Sequence, residues 1–399
     1  MSIVFAENIH GFFMFFHLLR ESYCFFYGET AVLSVAFSWK ELKILISGVY
    51  LSKIPLSYQE ENIMYRKKID EYIRRGIFDG AVVIAGTEKD DLLCHTQGLA
   101  DRNTGRAMSP DTVFDISSIS KPLGTATGIL LLAEQGKLEL DRCFTEYLPE
   151  YAGNMPQPID FRMLASHFSG LEPDYPLGVD AEELVKRMLH SSFIRKPWQE
   201  FFYSCVNYHF MGFIIEKLSG TGLDEFARKN IFEPLGMTDT AWATPLEHVR
   251  ERLVIHSRCV DSDPGVIFDR WARILHPRAV GNAGIFTTAL DMSRYARMLL
   301  RGGEGVFSTD IAQKEMFCNY MPHAARCRSF GWDMTPSLLL KNSSDRTIFH
   351  SGSSGQSMWI DSKKGRFCIV LTNLFGNHDD GIAARLDVAN AAAEVVWKD

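Results

Sequence analysis

The sequence predicts an α+β fold in which an antiparallel sheet is built from both chain ends, flanked by helices, with a mainly helical region between. Three observations carry this reading. Two strand-like runs flank a polar turn near residue 90, the stretch 141–325 is dominated by helical periodicity, and alternating apolar runs return late, before a closing amphipathic helix. Strands early, helices in the middle and strands late form one sheet only when the two ends of the chain meet in it.

In chain order, residues 1–63 read as an extension outside the functional domain. The apolar runs GFFMFFHLL (11–19), AVLSVAF (31–37) and ILISGVYL (44–51) are too short and too interrupted to span a bilayer, which needs about 20 apolar residues. A membrane-surface element is the other reading of this stretch. No signal-like basic start precedes the first run, so the expected location is cytoplasmic. From Met64, MYRKKIDEYIRRGIFDG places Ile69, Tyr72 and Ile73 at helical spacing, and GAVVIAG (80–86) and LLCHTQGLAD (92–101) read as a hairpin across the EKDD turn. A helix starts near Ser118 and runs to a Gly136 cap.

The middle carries the helical segments AEELVKRML (181–189), YHFMGFIIEKLSG (208–220) and ALDMSRYARMLLRGG (289–303). SFGWDMT, RTIFHSG, SMWIDSKKG and RFCIVLTN then read as strands, and IAARLDVANAAAEVVWK (382–398) as the last helix. The functional domain is therefore expected over 64–399, with an α/β part at 64–140 and 326–399 and a helical part at 141–325.

Composition narrows the function. The chain has 399 residues, 46% hydrophobic and 23% charged, with a formal net charge of −7 and no long basic run, so a nucleic-acid partner is not favoured. A small molecule or short peptide is the expected substrate. The eight cysteines form no CxxC pair and no zinc-ligand spacing, which suggests mostly buried thiols in a reducing compartment and no metal. HExxH, a Walker-type loop and GxGxxG are all missing, so no cofactor is expected.

One stretch carries chemistry. In FDISSISKPLG (114–124), Ser118 and Lys121 stand three apart, which puts them on one face of a helix. The pair could be a nucleophile and its base, with the lysine pKa depressed by burial in a cleft. Alternatively the serines simply cap a helix and the lysine is solvated.

The surrounding segments resemble the serine β-lactamase and penicillin-binding protein superfamily, in particular its class C-like branch, for which SxxK is a known motif. The resemblance runs through LLAEQGKLELD (131–141), FRMLASHFSGL (161–171), YSCVNYHFMGFIIEKLSG (203–220), GNAGIFTTALDMSRYARMLLRGG (281–303) and FHSGSSGQSMWIDSKKGRFCIVLTN (349–373). It implies a β-lactamase/transpeptidase-like fold, Ser118 as acylated nucleophile, Lys121 as proton acceptor and Tyr203 as a member of the proton relay. His350, Ser351 and Gly352 fall where relatives carry Lys-Thr-Gly or His-Thr-Gly. They and Ser353 would bind substrate, and the amides of Ser118 and Ser353 would form the oxyanion hole. His167 is expected as scaffold.

Two departures matter. Cys205 stands where the family's second motif ends in Asn, although Asn207 lies two residues on. A histidine in the third motif is only partly charged near neutral pH. The expected function is a cofactor-independent serine hydrolase acting on an ester or amide, of esterase, D-Ala-D-Ala carboxypeptidase or β-lactamase-like type. The alternative is a penicillin-recognising binding or regulatory module with little turnover.

Overall fold

The structure, a computed structural model, describes residues 56–172, 178–256, 264–374 and 378–397, with side chains from Met64 onward, and three earlier strands. Contacts divide the chain into two compact units, Met1–Glu61 and Asn62–Asp399. In the first unit, Phe16–Leu19, Ser22–Tyr27 and Ala31–Val35 pair as an antiparallel sheet. The run at 44–51 lies outside the described residues.

Helix α1 (Leu56–Arg74), most of it in the second unit, leads into β1 (Phe78–Thr87), β2 (Asp91–Asp101) and the short β3 (Arg106–Ala107). The other half of the sheet is β4 (Thr347–Gly352), β5 (Gln356–Asp361) and β6 (Arg366–Leu374). The six strands are antiparallel in the order β4-β5-β6-β1-β2-β3, and the two chain ends meet where Val83 pairs with Val370. α1 begins upstream of Met64, where the sequence placed its start.

Alternation explains why the sheet is covered on both sides. Val82, Ile84, Phe367, Ile369 and Leu371 enter the large core beneath the helices, where α4 (Ala289–Leu300) packs. Ala81, Val83, Ala85, Cys368 and Val370 face the other way, toward Tyr65 and Ile69 of α1 and Val388 and Ala392 of the closing helix α5 (His378–Val396). On this second face Phe349 stacks on Trp359 at 4.9 Å, and the Trp359 indole donates to the Leu338 carbonyl at 2.8 Å.

SFGWDMT is not a strand. It touches the sheet through one bridge, in which Asp333 and Phe349 exchange two N–H···O bonds of 2.8 Å. Gly331 at φ +90° turns the chain away, and the Asp333 carboxylate is bonded to Arg328 and to the Thr335 N–H. The cysteines also depart from expectation: of the six described, all free, only Cys327 and Cys368 are buried. Among the described residues no helix is long and apolar enough to cross a membrane.

Candidate active site

The strand Val113–Asp115 pairs with Ile285–Thr288 and delivers the chain to a tight turn. The Asp115 carboxylate accepts the N–H of Ser117 at 2.7 Å and that of Phe268 at 2.6 Å. Ser117 then sits at φ +46°, and Ser118 lies in a 3₁₀ turn over Ser117–Ile119. Next comes a wide turn, Lys121–Ala126, before the regular helix α2 (Thr127–Glu134), ended by Gly136 at φ +67°. Pro122 has no N–H to give, and the wide winding seats Gly124 against the Trp242 ring, where a Cβ would come within 2.3 Å.

This winding brings Lys121 beneath Ser118. Its amine is fully buried, donates to Ser118 Oγ at 3.0 Å and donates to the Asn282 carbonyl at 2.9 Å. The Tyr203 and Tyr208 ring centroids lie 5.0 and 5.7 Å from Nζ. Ser120 is structural, since its Oγ accepts the Ile285 N–H at 3.1 Å.

The charge state of Lys121 differs from the sequence expectation. Burial does disfavour the ammonium, but attraction to Cys205 and Tyr203, which face it and become anions when ionised, outweighs that effect and raises its pKa. A depressed lysine pKa was expected because sequence shows the burial and not the acidic neighbours. In this site the amine keeps its proton and acts first as a charge beside the serine oxygen.

His350 is the second correction. It is 4% exposed, and burial, with Arg328 and Lys121 adding positive charge, holds its pKa well below the ordinary value. The imidazole is neutral, not partly charged. Its Nδ1–H donates to the Ser351 carbonyl at 3.0 Å, which leaves Nε2 as an acceptor.

The other predicted residues fall as follows. Tyr203 is exposed at its edge and stacks on His167 at 4.3 Å. His167 closes the helix Phe161–Ser166 at φ +63°, and its Nδ1 accepts the Ser204 N–H at 3.2 Å, so it is a scaffold that carries Tyr203. Cys205 opens helix α3 (Cys205–Ser219), half-buried, among the groups that act on Lys121. Asn207 is fully buried and accepts from the Ser169 hydroxyl at 2.9 Å, so its oxygen is engaged elsewhere.

On β4, strand alternation sends the Ser351 side chain to the face of Phe349 and Trp359, away from His350. Gly352 presses on the nucleophile turn, where a Cβ would lie 2.4 Å from the Ile116 carbonyl oxygen. Ser353 bonds Ser117, Oγ to Oγ, at 2.8 Å.

Sequence reasoning missed three residues. Asn282 holds Lys121 through its main chain, and its buried carboxamide has no partner among the described residues; only the glycines of GNAG hinted at a close approach. Tyr208 is buried beside Lys121 with its hydroxyl on the Ala165 carbonyl. Arg328, buried, pairs with Asp333 at 3.0 Å and lowers the pKa of both His167 and His350. Nothing local in the sequence marks an arginine for burial.

Asp115 makes a testable contribution to stability. Burial, against the two N–H donors, pushes its carboxyl up to about 6. The folded state therefore favours the protonated form, so this contribution is complete below the ordinary carboxylate pKa and is lost as pH rises through about 6. Denaturant midpoints of wild type and Asp115→Asn, compared from about pH 4 to 7, are expected to show a fall on the order of 1–3 kcal/mol that the variant lacks. Parallel curves would remove Asp115 as the titrating group.

Among the described residues no group of three or more His, Cys, Asp and Glu side chains is placed to hold a metal ion. What the site does hold is a hydroxyl on an ammonium, a phenol beside that ammonium and a strand end against the hydroxyl's turn. This is equipment for acyl transfer to serine.

Comparison with known proteins shows the family. The model of the family described as Beta-lactamase matches residues 66–393. Esterase EstB of Burkholderia gladioli is 26% identical over 349 residues, covering 76% of this chain and 88% of the esterase. Penicillin-binding protein 4 of Amycolatopsis lactamdurans is 29% identical over 218 residues, 52% of this chain and only 55% of that protein. Among solved structures, a class C beta-lactamase superposes with a TM-score of 0.71 at 17% identity, covering 86% of this chain and 99% of that one. EstCE1, a hydrolase with promiscuous acyltransferase activity, gives 0.67 at 21% identity over 84% and 99%. At these identities the structural matches establish the fold.

Proposed function

Because the chain belongs to the Beta-lactamase family of serine hydrolases, we propose that it hydrolyses esters through an acyl-enzyme on Ser118. The observation that carries this reading is the fully buried Lys121 amine, 3.0 Å from Ser118 Oγ. Ser118 Oγ attacks the ester carbonyl while its proton passes to the Tyr203 oxygen, next to the Lys121 charge, in step with transfer of the phenol's own proton to the ester oxygen that leaves. The N–H groups of Ser118 and Ser353 receive the oxyanion. Collapse of the tetrahedral intermediate breaks the C–O bond, and the alcohol leaves with the proton that Tyr203 gave. Water then repeats the sequence on the acyl-enzyme and releases the acid and free Ser118.

Two features favour an ester over an amide. An amide leaving group must be protonated and aligned, and the position that would supply a carboxamide holds the Cys205 thiol, a poor donor and acceptor. A neutral His350 gives a substrate carboxylate no ionic partner at the third motif. EstB, a relative covered over 88% of its length, is named as an esterase.

The test is labelling with a fluorophosphonate followed by peptide mapping, together with turnover of p-nitrophenyl esters. An adduct on Ser118 with ester hydrolysis supports the reading. An adduct with no turnover would favour a module that recognises such substrates without releasing them, and no adduct would sink the assignment of Ser118. Within the same assay, Cys205→Asn is expected to raise amide turnover, read with a chromogenic cephalosporin, about tenfold relative to ester turnover. An unchanged ratio would show that position 205 does not choose the leaving group.

A further inference from the structure

Three consecutive residues of the nucleophile turn are fastened to three consecutive residues at the end of β4. The Ser354 hydroxyl donates to the Asp115 carbonyl at 2.8 Å. Gly352 lies against Ile116 so closely that a Cβ would come within 2.4 Å of its carbonyl oxygen. The hydroxyls of Ser117 and Ser353 bond each other at 2.8 Å. The first contact fixes where strand and turn meet, and the second sets how near they come.

The third contact acts on direction. The peptide unit that carries the Ser118 N–H begins at the Ser117 Cα, so the torsions of Ser117 aim that N–H. Ser117 is 1% exposed and sits at φ +46°, in the left-handed region where glycine fits more easily than serine. What serine adds over glycine is a hydroxyl, and that hydroxyl is spent on Ser353, whose own N–H is the second oxyanion donor in the reading above.

We propose that Ser117 is a positioning residue: by bonding Ser353 it holds the two oxyanion donors at a fixed separation and angle across the cleft. The proposal rests on Ser118 being the nucleophile. Donors aimed at a developing charge lose most of their effect when displaced by a fraction of an ångström, whereas substrate binding in the ground state is little changed. The signature is a loss in kcat with KM preserved.

The test compares Ser117→Ala, Ser117→Gly, Ser353→Ala and the Ser117→Ala/Ser353→Ala double variant in ester hydrolysis, with fluorophosphonate titration of Ser118 counting folded sites. Each single variant is expected to lower kcat about tenfold with KM within about twofold, and the double variant to be no worse than either single one. Ser117→Gly relieves the backbone, so it keeps the fold while removing the hydroxyl. Full kcat in Ser117→Gly, or losses that add in the double variant, would overturn the proposal while leaving Ser118 as nucleophile. Absence of label on wild-type Ser118 would overturn both.

Discussion

Ser118→Ala is expected to cut ester turnover by at least about a thousandfold, with no fluorophosphonate adduct and an unchanged denaturation midpoint. The asymmetry between activity and stability follows from the geometry. Ser118 is only half-buried, and the 3.0 Å contact that its hydroxyl accepts from Lys121 is replaceable by water. Its removal leaves the Lys121 amine its Asn282 acceptor and room for a water in place of the hydroxyl, while the covalent route disappears. Retention of more than about a tenth of wild-type turnover would mean that another nucleophile does the work.

The second large effect is at Lys121. Replacement by methionine, which matches its length, is expected to lower ester turnover and acylation by about a thousandfold. Stability is expected to hold or rise, because a fully buried ammonium that no carboxylate among the described residues faces within bonding distance, held by the Ser118 hydroxyl and the Asn282 carbonyl, is costly to desolvate. Lys121→Arg keeps the charge but cannot fit the same two acceptors, and should recover little. Turnover and thermal midpoint measured on the same preparations decide the matter: a parallel loss of both would make Lys121 a structural residue, and normal acylation in the methionine variant would remove it from the relay.

The parts legible in the sequence are those written in short periods. The apolar runs in GAVVIAG and RFCIVLTN foretold strands from the two ends of the chain in one sheet, and Val83 and Val370 do meet in it. The serine–lysine spacing foretold that the two side chains approach, and they do, although through a 3₁₀ turn and a wide turn in place of a regular helix. SFGWDMT failed as a strand because Gly331 and the side-chain bonds of Asp333 override its local pattern.

What could not be read depends on partners far apart in the chain. The proton on Lys121 is kept by Cys205 and Tyr203, and the neutrality of His350 is imposed by burial with Arg328 and Lys121. Asn282 enters through a carbonyl, which every residue has and no side-chain motif announces. Nothing in FDISSISK marks the Ser117 hydroxyl for its bond, because its partner lies more than two hundred residues away.

The meeting of the two chain ends in the centre of the sheet has a consequence for synthesis. β1 leaves the ribosome long before its neighbour β6, so one edge of β1 has no strand beside it until β6 follows. The turn bearing Ser118 and Lys121 is likewise made long before residues 352–354 exist to brace it. A nascent chain that stops short of β4 thus holds the turn of Ser118 and Lys121 without the strand end that braces it.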